Sequence, residues 1–112
     1  MKIKTSELTG PALRWAAAVA NGYSEGRASD VMFCDSSAFD YAESWAKGGP
    51  IIEREKLNIT ADWQGAALWH AWQYVGGLAK NGTHGPTPLI AAMRCFVASK
   101  LGDEVEVPEE LV

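Results

Sequence analysis

Two groups of residues in this 112-residue chain have the types and spacing to do chemistry. Trp63, Trp69, His70, Trp72 and Tyr74 fall within twelve residues. Planar rings this close in sequence can stack on a nucleobase or grip a partner's apolar side chain. They can equally form the core between a sheet and a helix. The second group is His84, Thr87 and Arg94, set around His84-Gly85-Pro86-Thr87-Pro88-Leu89. A helix starting at Pro88 would present free N–H groups and the positive end of its dipole to an anion. Pro88 removes one donor, and Arg94 lies about two turns along, so it needs another route to the same ligand. A capped helix start is the plainer reading of that motif.

The remaining inventory is thin. There is no Gly-x-Ser-x-Gly, no Gly-rich Lys-Ser/Thr loop, no Cys-x-x-Cys and no His-Glu-x-x-His. Cys34 and Cys95 have no His close by in sequence, and Cys95 reads as a small core residue. Asp35-Ser36-Ser37 fits a helix cap, and Glu53 and Glu55 fit an exposed charged turn. We therefore assign no catalytic residue, no metal ligand and no cofactor, and expect a protein that is not an enzyme. The surface to watch is Trp63, Trp69, His70, Trp72, Tyr74, His84, Thr87 and Arg94.

These residues need elements to position them. Leu8, Ala12, Trp15, Ala16 and Val19 share one face of a 3.6-residue period, which predicts a first helix over Thr5 to Asn21. Residues 22–37 are rich in Gly, Ser, Asp and Arg and read as a loop, with room for a short strand at Val31–Cys34. A second helix is expected from Ala38 to Lys47, with Phe39, Ala42, Trp45 and Ala46 on one face. Gly48-Gly49-Pro50 interrupts it, and either Pro50 opens a further turn over Ile51 to Glu55 or the whole span is one broken helix. Leu57, Ile59 and Ala61 alternate with polar residues and predict a strand. Ala66 to Val75 reads as a strand in preference to a helix, because aromatics favour strands. It would place Leu68, His70, Trp72 and Tyr74 on one face. Gly76 to Gly85 reads as a Gly-rich loop. Thr87 caps a last helix whose apolar face is Leu89, Ile90, Met93, Phe96, Val97 and Leu101, with Gly102 as its stop.

Lys and Arg number 10 and Asp and Glu 14, a net charge of −4. Five of those acids lie in the last ten residues, leaving residues 1–102 at +1. This balance argues against broad nucleic-acid binding but leaves room for an anionic ligand on the body. No apolar run approaches the length of a membrane span, and no signal-peptide stretch follows Met1. Two cysteines without such a signal point to the reducing cytoplasm.

Three stretches carry a resemblance. They are Lys-Ile-Lys-Thr-Ser-Glu-Leu-Thr-Gly at 2–10, Trp-Ala-Lys-Gly-Gly-Pro-Ile-Ile-Glu-Arg-Glu at 45–55, and Gly-Pro-Thr-Pro-Leu-Ile-Ala-Ala-Met-Arg-Cys-Phe-Val-Ala-Ser-Lys-Leu-Gly at 85–102. Together they resemble the NinX-like family of small tailed-phage and prophage proteins. The resemblance implies a phage product acting in the cytoplasm of the infected bacterium. It transfers no catalytic residue. The order helix, helix, hairpin, helix is also similar to small phage α–β–α sandwich domains.

The expected architecture is α+β. A small antiparallel sheet, a hairpin, packs with the N-terminal and C-terminal helices. Residues 1–102 form a single domain and 103–112 an acidic C-terminal tail. Such a domain buries a modest core, so a homo-oligomer is expected. The expected function is binding of a host or phage protein. The other reading is a sponge that sequesters a nucleotide-like small molecule, a nucleotide-derived immune signal of the host.

Overall fold

The computed structural model describes residues 1–62 and 68–112. After strand β1 (Lys2–Lys4) and a 3-10 turn at Thr5–Glu7, helix α1 runs over Gly10–Ala20. Leu8, Ala12, Trp15 and Ala16 are all buried, as the period requires. The Trp15 indole N–H donates to Ser29 Oγ at 3.0 Å. That bond ties α1 to a helix the sequence did not announce.

This helix, α2, spans Glu25–Cys34, where a loop and short strand were expected. Ser24 Oγ accepts from the Arg27 N–H at 3.1 Å, and Glu25 sits in the first turn, where the dipole favours an acid. Only Ala28 and Met32 of α2 are buried, so its apolar signal is too sparse to read.

The next helix is shifted. Residues 35–44 form turns, and α3 runs over Trp45–Glu55, straight through Gly48-Gly49-Pro50. Asp35 does not open a helix here but follows the end of α2, and its Oδ1 accepts from both the N–H and the hydroxyl of Ser37. A Cβ at Gly48 would run into the Tyr41 carbonyl oxygen and the Leu89 side chain. The glycine that looked like a breaker is what lets α3 sit close. Pro50 forgoes one helical hydrogen bond, while Ile51 beside it is buried. Trp45 begins this helix and stands 57% exposed instead of on a buried face.

Strands β2 (Asn58–Ala61), β3 (Trp69–Val75) and β4 (Leu78–Gly85) form an antiparallel sheet in the order β2-β3-β4. β2 matches its expected strand, and β3 is the Trp69–Val75 part of the strand expected over Ala66 to Val75, of which residues 66 and 67 lie outside the described residues. β4 occupies most of the expected loop. It was hidden by its glycines and by a bulge: Ala71 pairs with Thr83 but Gln73 with Lys80, so β4 carries one extra residue. Asn81, at φ +59, absorbs that residue, and its amide donates to Gln73 Oε1.

Helix α4 (Pro88–Leu101) is the centre of the fold. The Thr87 hydroxyl accepts from the Ile90 N–H at 3.1 Å, the expected cap. Buried residues lie on every side of α4, so it is a central helix, not a surface one. α1 packs on one side of it and the three-stranded sheet on another. Cys95 lies in this core, where burial pushes its thiol up to about 12.

The last ten residues also fold. β5 (Glu104–Glu106) pairs with β1, matching Lys2 with Glu106, Ile3 with Val105 and Lys4 with Glu104. Val105, Val107 and Leu111 are buried while the acids between them stay outside.

Candidate functional site

Ala71 and Thr83 turn the inner face of β3 and β4 onto α4, where the Thr83 hydroxyl donates to the Ala91 carbonyl at 2.9 Å. Strand alternation then sends His70, Trp72 and Tyr74 to the outer face. His84 joins them from β4 as the direct cross-strand partner of His70. The rings form a row. His84 and His70 stack with centroids 4.5 Å apart and planes 12° apart. His70 and Trp72 follow at 5.2 Å and 29°. Trp72 and Tyr74 then meet edge to face, at 6.4 Å and 85°.

The bulge makes room for this row. Gly82 lies under His70, whose Nε2 is only 3.2 Å from where a Cβ would stand. A recess of about 340 Å³ opens beside Trp72 and Tyr74, with Thr60, Lys80 and Gly82 in its lining. The hairpin turns through Gly76 and Gly77, both at positive φ, and leaves Tyr74, Val75 and Leu78 more than half exposed. Tyr74 carries the outer face to the hairpin tip, where the cross-strand pair Val75 and Leu78 takes the opposite side of the ribbon.

The electrostatics are quiet. His84 Nε2 lies 3.5 Å from Asp62 Oδ2. Burial, then the neighbouring His84 ring, pulls His70 below the ordinary imidazole pKa, with Asp62 acting the other way. Among the described residues no three His, Cys, Asp or Glu side chains converge as metal ligands would.

The structure divides the expected set. His70, Trp72, Tyr74 and His84 come together. Trp69 faces the other way and packs against the core. Trp63 lies outside the described residues. Thr87 uses its hydroxyl on its own helix. Arg94 turns inward, donating from Nε to the Leu8 carbonyl at 2.8 Å and from Nη1 to the His84 carbonyl at 2.7 Å. Burial lowers its pKa. These two bonds make Arg94 a clasp joining Leu8, β4 and α4. Thr60, Lys80 and Gly82 were missed. Thr60 stands opposite His70 in the β2 alternation, which was its signal, while Lys80 and Gly82 fell in the stretch expected to be a loop.

A larger recess of about 760 Å³ lies elsewhere, between β1, Leu8 to Ala12 and the Leu111–Val112 end. None of the rings of the aromatic row reaches it, and its walls are mostly aliphatic.

The sequence pattern of the family described as Bacteriophage P22, NinX matches residues 4–100. The chain belongs to this NinX family. A search of curated proteins found no match. The matched span of this NinX protein takes in strands β2, β3 and β4, helices α1 to α3 and all of α4 but its last residue. No helix among its described residues is long and apolar enough to cross a membrane.

Proposed function

We propose that this NinX-family protein is a non-enzymatic phage accessory protein. It holds a protein partner, of host or phage origin, against the outer face of β2-β3-β4 in the infected bacterial cytoplasm. The supporting observation is the continuous row His84, His70, Trp72 and Tyr74, which ends at the exposed Tyr74 near the hairpin tip. Rigid aromatic side chains bury large areas at little entropic cost, which is why they anchor protein interfaces. A row that opens sideways, with no enclosing wall, suits a protein surface better than a small molecule. The sponge reading drew on the aromatics, His84, Thr87 and Arg94, and the Arg94 guanidinium donates to two backbone carbonyls instead. A homo-oligomer is part of the proposal, since a core of this size gains from association.

The test pairs wild type with Tyr74→Ala, at an exposed position on that face. Each is used to retain proteins from phage-infected cells. Any retained protein is then purified and titrated against both by calorimetry. The proposal expects a partner bound by wild type and weakened about tenfold or more in the variant. A partner held equally by both would sink it.

A further inference from the structure

We propose that the free edge of β1, with the recess beside it, takes an extended peptide segment of another protein as an added antiparallel strand, with the pattern acidic–apolar–acidic. This surface is separate from the aromatic row, and the inference goes beyond the reading above.

Three observations carry it. The first is unpaired main chain. Among the described residues β1 pairs only with β5. The Val107 N–H donates to the Met1 carbonyl at 2.9 Å and the Thr5 N–H to the Asp103 carbonyl at 2.7 Å. Bonded and non-bonded pairs alternate along an antiparallel ladder. Met1, Ile3 and Thr5 therefore turn their backbone groups to β5, and Lys2 and Lys4 turn theirs away from it. The Lys2 N–H, the Lys2 carbonyl and the Lys4 N–H face out along an edge with no strand beside it. Extended peptides add to such edges through main-chain hydrogen bonds.

The second is the recess of about 760 Å³, which touches Met1, Lys2, Ile3 and Lys4 in succession. Successive side chains of a strand point to opposite faces. A hollow that meets all four runs along the edge and not over one face. Leu8, Ala12 and Leu111 also line it, and all three belong to the core. The residue of an added strand opposite Ile3 points to the same side as Ile3, toward that apolar lining.

The third is charge in register. β1 already holds one such segment: Glu104, Val105 and Glu106 of β5 stand opposite Lys4, Ile3 and Lys2. A strand on the free edge meets the same three residues in the same alternation. Opposite charges directly across a ladder are favourable and like charges are not. The acids of the lining do not stand opposite it, since Glu7 belongs to the 3-10 turn and Glu104 lies one strand further away. A second copy of β1 would set lysine against lysine, so this edge rejects itself.

The experiment is an NMR titration of isotope-labelled protein with capped synthetic peptides. The first is Ser-Glu-Val-Glu-Val-Glu-Ser. A second replaces every glutamate by lysine. A third carries N-methyl groups on its glutamates, which removes the N–H that donates to the Lys2 carbonyl. Decanoate is the non-peptide arm. The first peptide is expected to shift the Lys2 and Lys4 amides and the Ile3 and Leu111 methyls in a saturable way, leaving Trp72 unmoved. The lysine and N-methyl peptides should bind about tenfold more weakly or worse. Lys4 sits at φ −64°, the value proline requires, and Ile3 before it is already in a strand. Lys4→Pro therefore deletes one outward N–H without straining the backbone. It should melt as wild type does and bind about tenfold more weakly than Lys4→Gln, which loses the charge but keeps the N–H. No response at Lys2 and Lys4 overturns the inference. So does an N-methyl peptide that binds equally well, Lys4→Pro that binds like Lys4→Gln, or decanoate that fills the recess more tightly than the peptide. A dimer in sedimentation velocity that Lys4→Pro breaks up would give the edge to a second copy and also overturn it. Tyr74→Ala should bind the peptide as wild type does. If the peptide binds while Tyr74→Ala keeps its protein partner, only the reading above falls. If the peptide fails while Tyr74→Ala loses that partner, only this inference falls.

Discussion

Arg94 and His70 show how far residue type alone misleads. A lone arginine near a helix start invites an anion, yet its guanidinium joins two carbonyls that lie 86 and 10 residues away in sequence. Hydrogen bonds from a charged donor contribute roughly 1.5–3 kcal/mol when buried, less when wet. Arg94→Ala should therefore cost about 2 kcal/mol in chemical denaturation, with Arg94→Lys recovering part of it. A loss under about 0.5 kcal/mol would mean the clasp is idle. His70 makes a pH prediction. Its folded pKa is lowered from 6.5, first by burial and then by His84. The unfolded chain therefore binds more protons than the folded chain below about pH 6.5. Stability associated with His70 is complete above that pH and is lost as pH falls toward the folded value. Carboxylates titrate in the same range, so the informative quantity is the difference between wild type and His70→Gln, whose melts should converge as pH falls. NMR should show the His70 ring titrating below 6.5, and a midpoint at or above that value would refute the argument.

At the scale of elements, legibility followed how completely a pattern was spelled out locally. α4 was readable from Thr87 to Gly102 because cap, first-turn proline, apolar face and stop all agree. β2 and β3 were readable from alternation, and with them the sidedness of His70, Trp72 and Tyr74. α2 was not, because two buried side chains leave almost no period. α3 was misplaced because Gly48 and Pro50 look like breakers, and only Tyr41 and Leu89, distant in sequence, show why a glycine is needed. β4 was lost to its glycines, and with it the pairing that makes a stacked couple of His70 and His84. Gly85 tests this account. A Cβ there would stand 2.7 Å from the Ala91 backbone N and 3.1 Å from its Cα. Backbone cannot step aside as a side chain can, so Gly85→Ala should force β4 off α4 and cost about 1–3 kcal/mol. Thr87→Ala, which removes only the cap, should cost about 1 kcal/mol. If Gly85→Ala is as mild as an exposed glycine replacement, the close seat of sheet on helix is wrong.

For the whole molecule, the decisive region is the last ten residues. Their composition, five acids and no base, suggests a solvated tail, and the charges do stay at the surface. The apolar residues between them behave otherwise. Val105, Val107 and Leu111 enter the core that α1 and α4 build, and Ile3 depends on β5 for its strand partner. Fully burying an aliphatic side chain contributes about 1.5–3 kcal/mol. Three of them approach the whole stability of a domain this size, about 5–15 kcal/mol. Removing residues 103–112 should therefore leave a chain that is unfolded or nearly so at room temperature. Glu104 and Glu106 face Lys4 and Lys2 across the ribbon, and exposed pairs of that kind are worth little. Replacing Glu109 and Glu110, which have no such cross-strand partner, by glutamine should change stability by less than about 0.5 kcal/mol. Circular dichroism melts of the truncated and doubly substituted proteins separate the two contributions. A truncated chain that melts cooperatively within about 1 kcal/mol of the full one would show that β1-β5 is an appendage. The expected collapse would instead show that the acidic segment closes the core, while its charges keep that end of the molecule soluble.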